Sequence, residues 1–223
     1  MKKLATLSLA LAATLASSQA AIVWTGAVDA DLTNDGNWDF TNADNGVATI
    51  AGINDSTLNS SISFSNVGTN PIIGEQAAQP SWGVSAGNSI EIDGVSLDTA
   101  GNDGIQGDVI SILNGGNLNI FYARQVINVD ATSSINLLGG GDPLPGVAAL
   151  NLTPGAVLTM ASVGEFTEQG GQIFVNGTSF ASDPTILDFS GAPGANSALA
   201  VPEPSSSVLV GLAGLALLAR RRH

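Results

Sequence analysis

The chain of 223 residues contains no cysteine, a single histidine and few aromatic residues. Without cysteine, an exported fold has to be held together by burial, backbone pairing or ions instead of disulfide bonds. Because the one histidine is His223, the body of the chain also lacks the side chains for Ser-His-Asp or Cys-His catalysis and for His-ligated zinc. Aromatic residues make up only 5% of the chain, so the core must be built mainly from Ile, Val, Leu and Ala.

Basic residues are also scarce, and most of them lie near the two ends of the chain. Residues 21–201 hold 18 of the 19 acidic residues but only one of the six basic residues, Arg124, which leaves a net charge of −17. A surface this acidic repels polyanions, and nucleic-acid binding requires basic contacts to phosphate. We therefore predict that nucleic acid is not a partner.

The first 20 residues have the features of a secretory signal peptide. Lys2 and Lys3 form the positive segment, and Leu4–Leu15 form a short apolar helix. Small residues then precede a cleavage site that we predict between Ala20 and Ala21. The sequence therefore predicts export, with signal peptidase as the first processing partner.

The last 22 residues contain three different elements in a fixed order. Pro202-Glu203-Pro204 is rigid, because each proline ring fixes a φ angle. The apolar helix predicted over 206–219 is shorter than the roughly 17–25 residues of a stable membrane span. Arg220, Arg221 and Arg222 form a basic end that would stay on the cytoplasmic side.

This tail resembles the PEP-CTERM sorting signal of Gram-negative bacteria. The resemblance covers about a tenth of the chain. It implies recognition by an exosortase, a membrane cysteine protease, after transient anchoring in the inner membrane. It also implies that the tail is removed on the way to the cell surface or extracellular matrix. The alternative is an ordinary C-terminal membrane anchor.

Residues 21–189 are predicted to form a β-rich extracellular body, and residues 190–201 a flexible linker of small residues. Small-residue turns followed by short strands recur, with strands beginning at Ile90, Leu118, Ile135, Val157 and Ile173. Further strands are predicted at Val109–Leu113, Val126–Val129, Leu150–Leu152 and Ile186–Phe189. No segment of the body shows a helical period.

Repetition at roughly 20 residues per coil predicts a short right-handed parallel β-helix, or solenoid. Alternation of Ile, Leu or Val with Asn, Ser or Asp suits strands that have one buried face. The segment from Trp24 to Asp39 also resembles the N-terminal part of secreted bacterial β-solenoid proteins. A β-sandwich or jelly roll of short strands is the alternative fold.

Three tryptophans have two interpretations. Trp24 and Trp38 flank an Asp-Gly turn and are expected to cap one end of the β core. Alternatively, Trp24, Trp38 and Trp82 contact sugars, because aromatic side chains are common on recognition surfaces.

An acidic segment near the N-terminus is the best candidate for a bound ion. Asp29, Asp31, Asp35 and Asp39 offer the oxygen ligands that calcium prefers, although no calcium-loop pattern is complete. The preferred interpretation is a set of solvated turns, in which Asp and Asn side chains satisfy local backbone groups. Calcium is the alternative, and no other cofactor is predicted.

Catalysis could rest only on carboxylates, since two acids at a suitable separation can hydrolyse a glycoside. Asp103 with Asp108 and Glu165 with Glu168 are candidate pairs, but nothing distinguishes them from other acids. For Arg124 we prefer an ion pair or a side chain packed on a strand face to a carboxylate-binding site.

The sequence therefore predicts a secreted, non-enzymatic protein of the cell surface or extracellular matrix, sorted by an exosortase. A carbohydrate-binding adhesin with an extracellular polysaccharide partner is the alternative, and a carboxylate glycosidase is a minor one.

Overall fold

The computed structural model of the protein describes residues 21–53, 56–65, 72–73, 82–99, 105–141, 147–190 and 197–201. These residues form mostly β-strands, which confirms the all-β prediction. The predicted signal helix and the predicted apolar tail helix both lie outside the described residues. None of the helices in the described part of the chain has the length and apolar character needed to cross a membrane.

The described residues contain eighteen strands, numbered here in chain order. They are β1 Ala21–Trp24, β2 Trp38–Asp39, β3 Ser61–Phe64, β4 Ile72–Ile73, β5 Trp82–Gly83, β6 Ser89–Asp93, β7 Ser96–Thr99, β8 Ile105–Gln106, β9 Val109–Leu113, β10 Asn117–Tyr122, β11 Val126–Val129, β12 Ser134–Gly141, β13 Ala149–Leu152, β14 Val157–Met160, β15 Gln172–Val175, β16 Thr178–Ser179, β17 Leu187–Asp188 and β18 Ser197–Ala200.

Most strands belong to two large sheets. The nine-stranded sheet has the order β16-β15-β13-β11-β9-β6-β3-β1-β2, and the seven-stranded sheet has the order β17-β18-β14-β12-β10-β7-β4. From β9 to β15 successive strands alternate between the sheets, and each of the strands β9 to β13 pairs in parallel with the strand two positions on. Sandwiches and jelly rolls, the alternative fold, are built from antiparallel strands.

The core lies on the inward faces of the two sheets, because side chains alternate along each strand. In the nine-stranded sheet Ile110, Ile127 and Leu150 stand in register, and each is 0% exposed. In the seven-stranded sheet Leu118 and Ile135 are paired and equally buried. Both rows belong to one hydrophobic core. Burying each such side chain contributes about 1.5–3 kcal/mol.

Short antiparallel strands stand at three sheet ends. β2 pairs with β1 at one end of the nine-stranded sheet, and β16 pairs with β15 at the other. In the seven-stranded sheet β18 is antiparallel to both β14 and β17. Short, reversed edge strands hinder the addition of further strands from another molecule.

A single α-helix occurs among the described residues, α1 at Val163–Glu168. The Ser162 hydroxyl accepts a hydrogen bond from the Glu165 amide at 3.1 Å and so caps its N-terminus. Phe166 anchors the helix in the core at 0% exposure. The sequence analysis missed this helix because six residues are too few to show a period of 3.6.

The structure corrects the prediction of a flexible linker over 190–201. Residues 197–200 form β18, which lies between β17 and β14. Ser197, Ala198 and Ala200 are buried, since small side chains fit the close packing at this end of the core. The folded body therefore continues to Val201, while residues 191–196 lie outside the described part.

Candidate functional site

The two tryptophans near the N-terminus are core residues. Trp24 is 0% and Trp38 6% exposed. Trp24, Trp38 and Phe64 pack together, with the Trp24 and Trp38 rings edge to face at 5.1 Å between centroids. The Trp38 indole N–H donates to the Leu32 carbonyl at 2.9 Å. This burial contradicts the prediction that Trp24 and Trp38 contact sugars, because neither ring presents a face to solvent.

Trp82, the third predicted sugar contact, is described only through its backbone. It begins β5 and pairs in parallel with Ile105 of β8. Its side chain lies outside what the structure describes. The sugar-contact prediction at Trp82 therefore stays a prediction.

The acidic segment between β1 and β2 is organised around a buried asparagine, Asn37, which is 0% exposed. Its side-chain oxygen accepts from the amides of Val28 and Asp29 at 2.8 and 3.0 Å. Its side-chain nitrogen donates to the Asp29 carboxylate and to the Asp31 carbonyl. With all of these bonds made inside one loop, Asn37 is a structural residue that sequence reasoning did not identify.

The four aspartates considered as alternative calcium ligands bind donors of the protein itself. Asp31 and Asp39 each accept from the backbone and hydroxyl of the threonine two residues on. Asp35 accepts from the Ile50 amide at 2.7 Å, and Asp29 accepts from Asn37 and Asn34. Within the described ranges no group of three or more acidic, histidine or cysteine side chains is placed to hold a metal ion. The structure therefore does not bring these four carboxylates together as one site.

Hydrogen bonding tunes two of these carboxyl groups. The bond from the Asn37 side chain, helped by the Asp31 amide and Asn34, lowers the pKa of Asp29 below its ordinary value. The Thr41 hydroxyl and amide lower the pKa of Asp39 in the same way. Because hydrogen-bond donors favour the charged form of a carboxyl group, Asp29 and Asp39 stay ionised to lower pH than an ordinary aspartate.

Three of the four acids in the candidate glycosidase pairs lie within the described residues. Glu165 and Glu168 are both exposed on α1, and Glu165 accepts from Gln169 at 3.4 Å. Asp108 accepts from the Gly87 amide at 2.9 Å, whereas its proposed partner Asp103 lies outside the described residues. The pair of Asp103 and Asp108 therefore stays untested.

Arg124 lies at the exposed end of a small aromatic cluster. Its guanidinium carbon is 4.8 Å from the centre of the Tyr122 ring, which is a cation–π contact. The Tyr122 ring in turn packs against Phe121 at 5.0 Å. This contact matches the preferred interpretation of Arg124, a side chain packed on the strand surface.

The outward face of the nine-stranded sheet carries a shallow groove of about 390 Å³, here called the Asn groove. Its lining includes Leu113, Asn128, Asp130, Asn151, Phe174 and Asn176. Asn128, Asn151 and Phe174 are in register on neighbouring strands β11, β13 and β15. The Asn151 amide donates to the Asn128 side-chain oxygen at 2.9 Å.

A second groove of about 340 Å³ lies on the outward face of the seven-stranded sheet. There Asn119, Asn136, Thr159 and Ser197 are in register. The Thr159 and Ser197 hydroxyls share a hydrogen bond of 2.8 Å.

Sequence reasoning did not single out these polar rows. The signal was present, because Ile127-Asn128-Val129 and Leu150-Asn151-Leu152 repeat an apolar-Asn-apolar triplet. A strand with that pattern buries two side chains and turns the asparagine outward. The triplets alone do not specify the strand register, which brings the asparagines of different coils side by side.

The two predicted processing sites flank the described body in the sequence. Ala21, the residue after the predicted signal-peptidase site, is the first residue of β1 and pairs with Ser61. Ala20, the Pro202-Glu203-Pro204 motif and Arg220 to Arg222 lie outside the described residues. Val201, the last described residue before the tail, directly follows β18.

Comparison with known families matches residues 200–222 to the PEP-CTERM protein-sorting motif. The match supports the prediction that the tail is a sorting signal. Such a signal implies export, processing by an exosortase, and a surface or extracellular location. No match to a curated protein or to a solved structure was found.

Proposed function

We propose that the protein is a secreted, non-enzymatic component of the cell surface or extracellular matrix that an exosortase system processes. The observation that carries this proposal is the sorting motif at residues 200–222. The acidic body, with a net charge of −17 over residues 21–201, supports a soluble extracellular role. The scarcity of the usual catalytic side chains supports a non-enzymatic one.

In this proposal the protein is exported through the inner membrane and is cleaved twice. Signal peptidase cuts between Ala20 and Ala21 during export. The apolar segment 206–219 then holds the chain briefly in the membrane, with Arg220 to Arg222 on the cytoplasmic side. Exosortase cuts at or near Pro202-Glu203-Pro204, and the body is released or attached outside.

We further propose that the folded body is a short right-handed parallel β-helix. Strands β9 to β15 alternate between two sheets and pair in parallel within each sheet, which supports this fold. The near-constant register between coils supports it as well. Right-handedness follows from the strong preference of parallel crossover connections. Such a stack presents long, regular outer faces, which suit a surface or matrix protein.

The sorting proposal is tested by disrupting the exosortase in the native host. We expect full-length protein that retains Arg220 to His223 to accumulate in the membrane fraction, whereas the parent strain yields shortened protein outside the cell. Immunoblotting of membrane and medium fractions, with mass spectrometry of each band, makes the comparison. Unchanged release of shortened protein from the disrupted strain would contradict the proposal.

A second candidate function, carbohydrate binding, is favoured by the Asn groove. Asparagine amides offer both donors and acceptors to sugar hydroxyls, and the half-buried Phe174 ring next to Asn151 supplies an apolar surface for a sugar ring. Neighbouring strands are about 4.8 Å apart, so the row repeats polar groups at close intervals along one line.

The charge of the body selects the sugar class for this second function. With one basic residue in residues 21–201, the protein repels uronic acids and sulfated sugars. Asp130 adds a further carboxylate to the groove lining. We therefore propose a neutral polysaccharide, bound along the open groove by hydrogen bonds and ring contact.

Substituting Asn151 with alanine is expected to weaken retention on a neutral polysaccharide by about 2- to 15-fold, since one hydrogen bond is lost. Phe174→Ala should weaken it to a similar degree. Gln172→Ala is the matched control, because Gln172 is exposed on the same strand as Phe174 and does not line the groove. Affinity electrophoresis against a panel of neutral glycans measures the effect, and equal mobility of all three variants and the parent would contradict the binding proposal.

A further inference from the structure

The strand that precedes the sorting tail is an internal strand of the folded body. β18 is antiparallel to β14, with Val157 opposite Leu199 and Thr159 opposite Ser197. On its other side it pairs with β17, where Leu187 stands opposite Ala200. A strand with neighbours on both sides is held by two ladders of backbone hydrogen bonds.

Hydrogen bonds hold this segment up to its last residue. The Ala200 amide donates to the Ala156 carbonyl at 2.9 Å, and the Ala200 carbonyl accepts from the Gly155 amide at 2.8 Å. The Val201 amide donates to the Ile186 carbonyl at 2.9 Å. The backbone is therefore engaged through the residue immediately before Pro202.

Burial anchors the same segment. Ala198 and Ala200 are each 1% exposed and Ser197 is 5% exposed. Gly155, which donates to Ala200, has φ +107°, and a Cβ there would lie 2.7 Å from the Ala131 carbonyl oxygen. The turn at Gly155, which contacts the end of β18, is thus closely packed against Ala131.

The sorting motif overlaps this strand. The matched motif begins at residue 200, the last residue of β18, and the Pro-Glu-Pro tripeptide begins two residues later. A protease holds its substrate extended in a cleft and uses the backbone groups beside the scissile bond. Backbone groups of residues 197–201 that already pair with β14, β17 and neighbouring turns are not available to such a cleft.

We infer that the scissile bond lies C-terminal to Val201 and that β18 remains docked as the last strand of the processed protein. This inference rests on the proposed sorting function. In hydrolysis at such a bond, the carbonyl carbon takes the hydroxyl of water, and the new amine, with the proton, leaves at the head of the tail. No backbone contact of β18 is broken by that step.

A cut within the segment 190–200 would have a different result. It would remove β18 in whole or in part and leave the inner edges of β14 and β17 unpaired. Exposed strand edges invite pairing with other chains. The folded body therefore sets a boundary that the protease does not cross, and the tripeptide follows that boundary directly in the sequence.

Hydrogen exchange on the uncut chain from Ala21 to His223, purified in detergent, tests the docking itself. The Ala200 and Val201 amides should exchange at least about 100-fold more slowly than in an unstructured peptide. The C-terminus of protein recovered outside native cells is then read by mass spectrometry and should be Val201 or a later residue. Rapid exchange at both amides, or a C-terminus before Val201, would overturn the inference.

Two variants add a matched comparison. Ala198→Asp places a charge at a buried position and should undock β18, giving loss of amide protection and truncation before Val201. Leu199→Asn changes a half-buried residue of the same strand and should leave both readouts unchanged. Protection and a C-terminus unaltered by Ala198→Asp would contradict the inference. If exchange is slow but the protein of every fraction still carries Arg220 to Arg222, the tail has not been removed. That result would refute the sorting proposal and, with it, this inference.

Discussion

Replacing Pro202, Glu203 and Pro204 with alanine is expected to move nearly all of the protein from the outside of the cell to its membrane fraction. The tripeptide is the polar element of the matched motif, and alanine removes both fixed φ angles and the carboxylate. An exosortase that reads this element loses its substrate, while the apolar segment 206–219 still engages the membrane. Cell fractionation and immunoblotting measure the shift.

Ser206→Ala is the matched control for the tripeptide substitution, because it removes one hydroxyl group two residues after the tripeptide. We expect it to leave the distribution unchanged. If the triple-alanine protein were released and shortened like the parent, the tripeptide would not be the recognised element, and the proposed route would be wrong.

Substituting Trp24 with alanine is expected to destabilise the folded body by about 3–5 kcal/mol, the usual cost of removing a large aromatic side chain from a core. Trp24 is 0% exposed and packs against Trp38 and Phe64, so a large cavity would open at the N-terminal end of the nine-stranded sheet. For a domain of this size the melting temperature should fall by roughly 6–20 °C. Thermal unfolding followed by circular dichroism measures it.

Phe189→Ala serves as the comparison, since Phe189 is 53% exposed. Surface substitutions usually change stability by no more than about 0.5 kcal/mol. A Trp24→Ala protein as stable as the Phe189→Ala protein would contradict the packing described here and would reopen a surface role for Trp24.

Strand positions in the repeated part of the body could be predicted closely from sequence. The predicted strands at Val109–Leu113 and Val126–Val129 are β9 and β11, and the prediction at Leu150–Leu152 falls within β13. These segments alternate apolar and polar residues between turns rich in glycine, asparagine and serine, and local sequence suffices to specify that pattern. Which strands pair depends on register between distant segments, which a single pattern does not encode.

The end of the body shows where composition misleads. Residues 190–201 contain small residues typical of a linker, yet 197–200 form β18. Ala198 and Ala200 are buried because β18 lies between β14 and β17. That position depends on the tertiary structure and not on local sequence. Sequence favours Trp24 and Trp38 as residues that cap the core but leaves sugar contact open, and only their burial decides between the two.

The candidate site was predicted in part. The tail motif consists of contiguous residues, so its recognition required no fold. The Asn groove requires Asn128, Asn151 and Phe174 to meet across three strands separated by more than 20 residues at each step. The acidic segment illustrates the reverse case, because its carboxylates are close in sequence but bind separate donors. Asp31 and Asp39 each bind the threonine two residues on, whereas Asp35 binds the distant Ile50 amide.

Intact mass spectrometry of the protein recovered from the outer surface and medium of its native host tests the central claim most directly. The account predicts a species that begins at Ala21 and ends at Val201 or a later residue, without Arg220 to Arg222. The membrane fraction of the same cells should hold only a minor, full-tailed precursor. A surface species that still carries the apolar segment and the three arginines would contradict the account, because the tail would then be a lasting anchor and not a sorting signal.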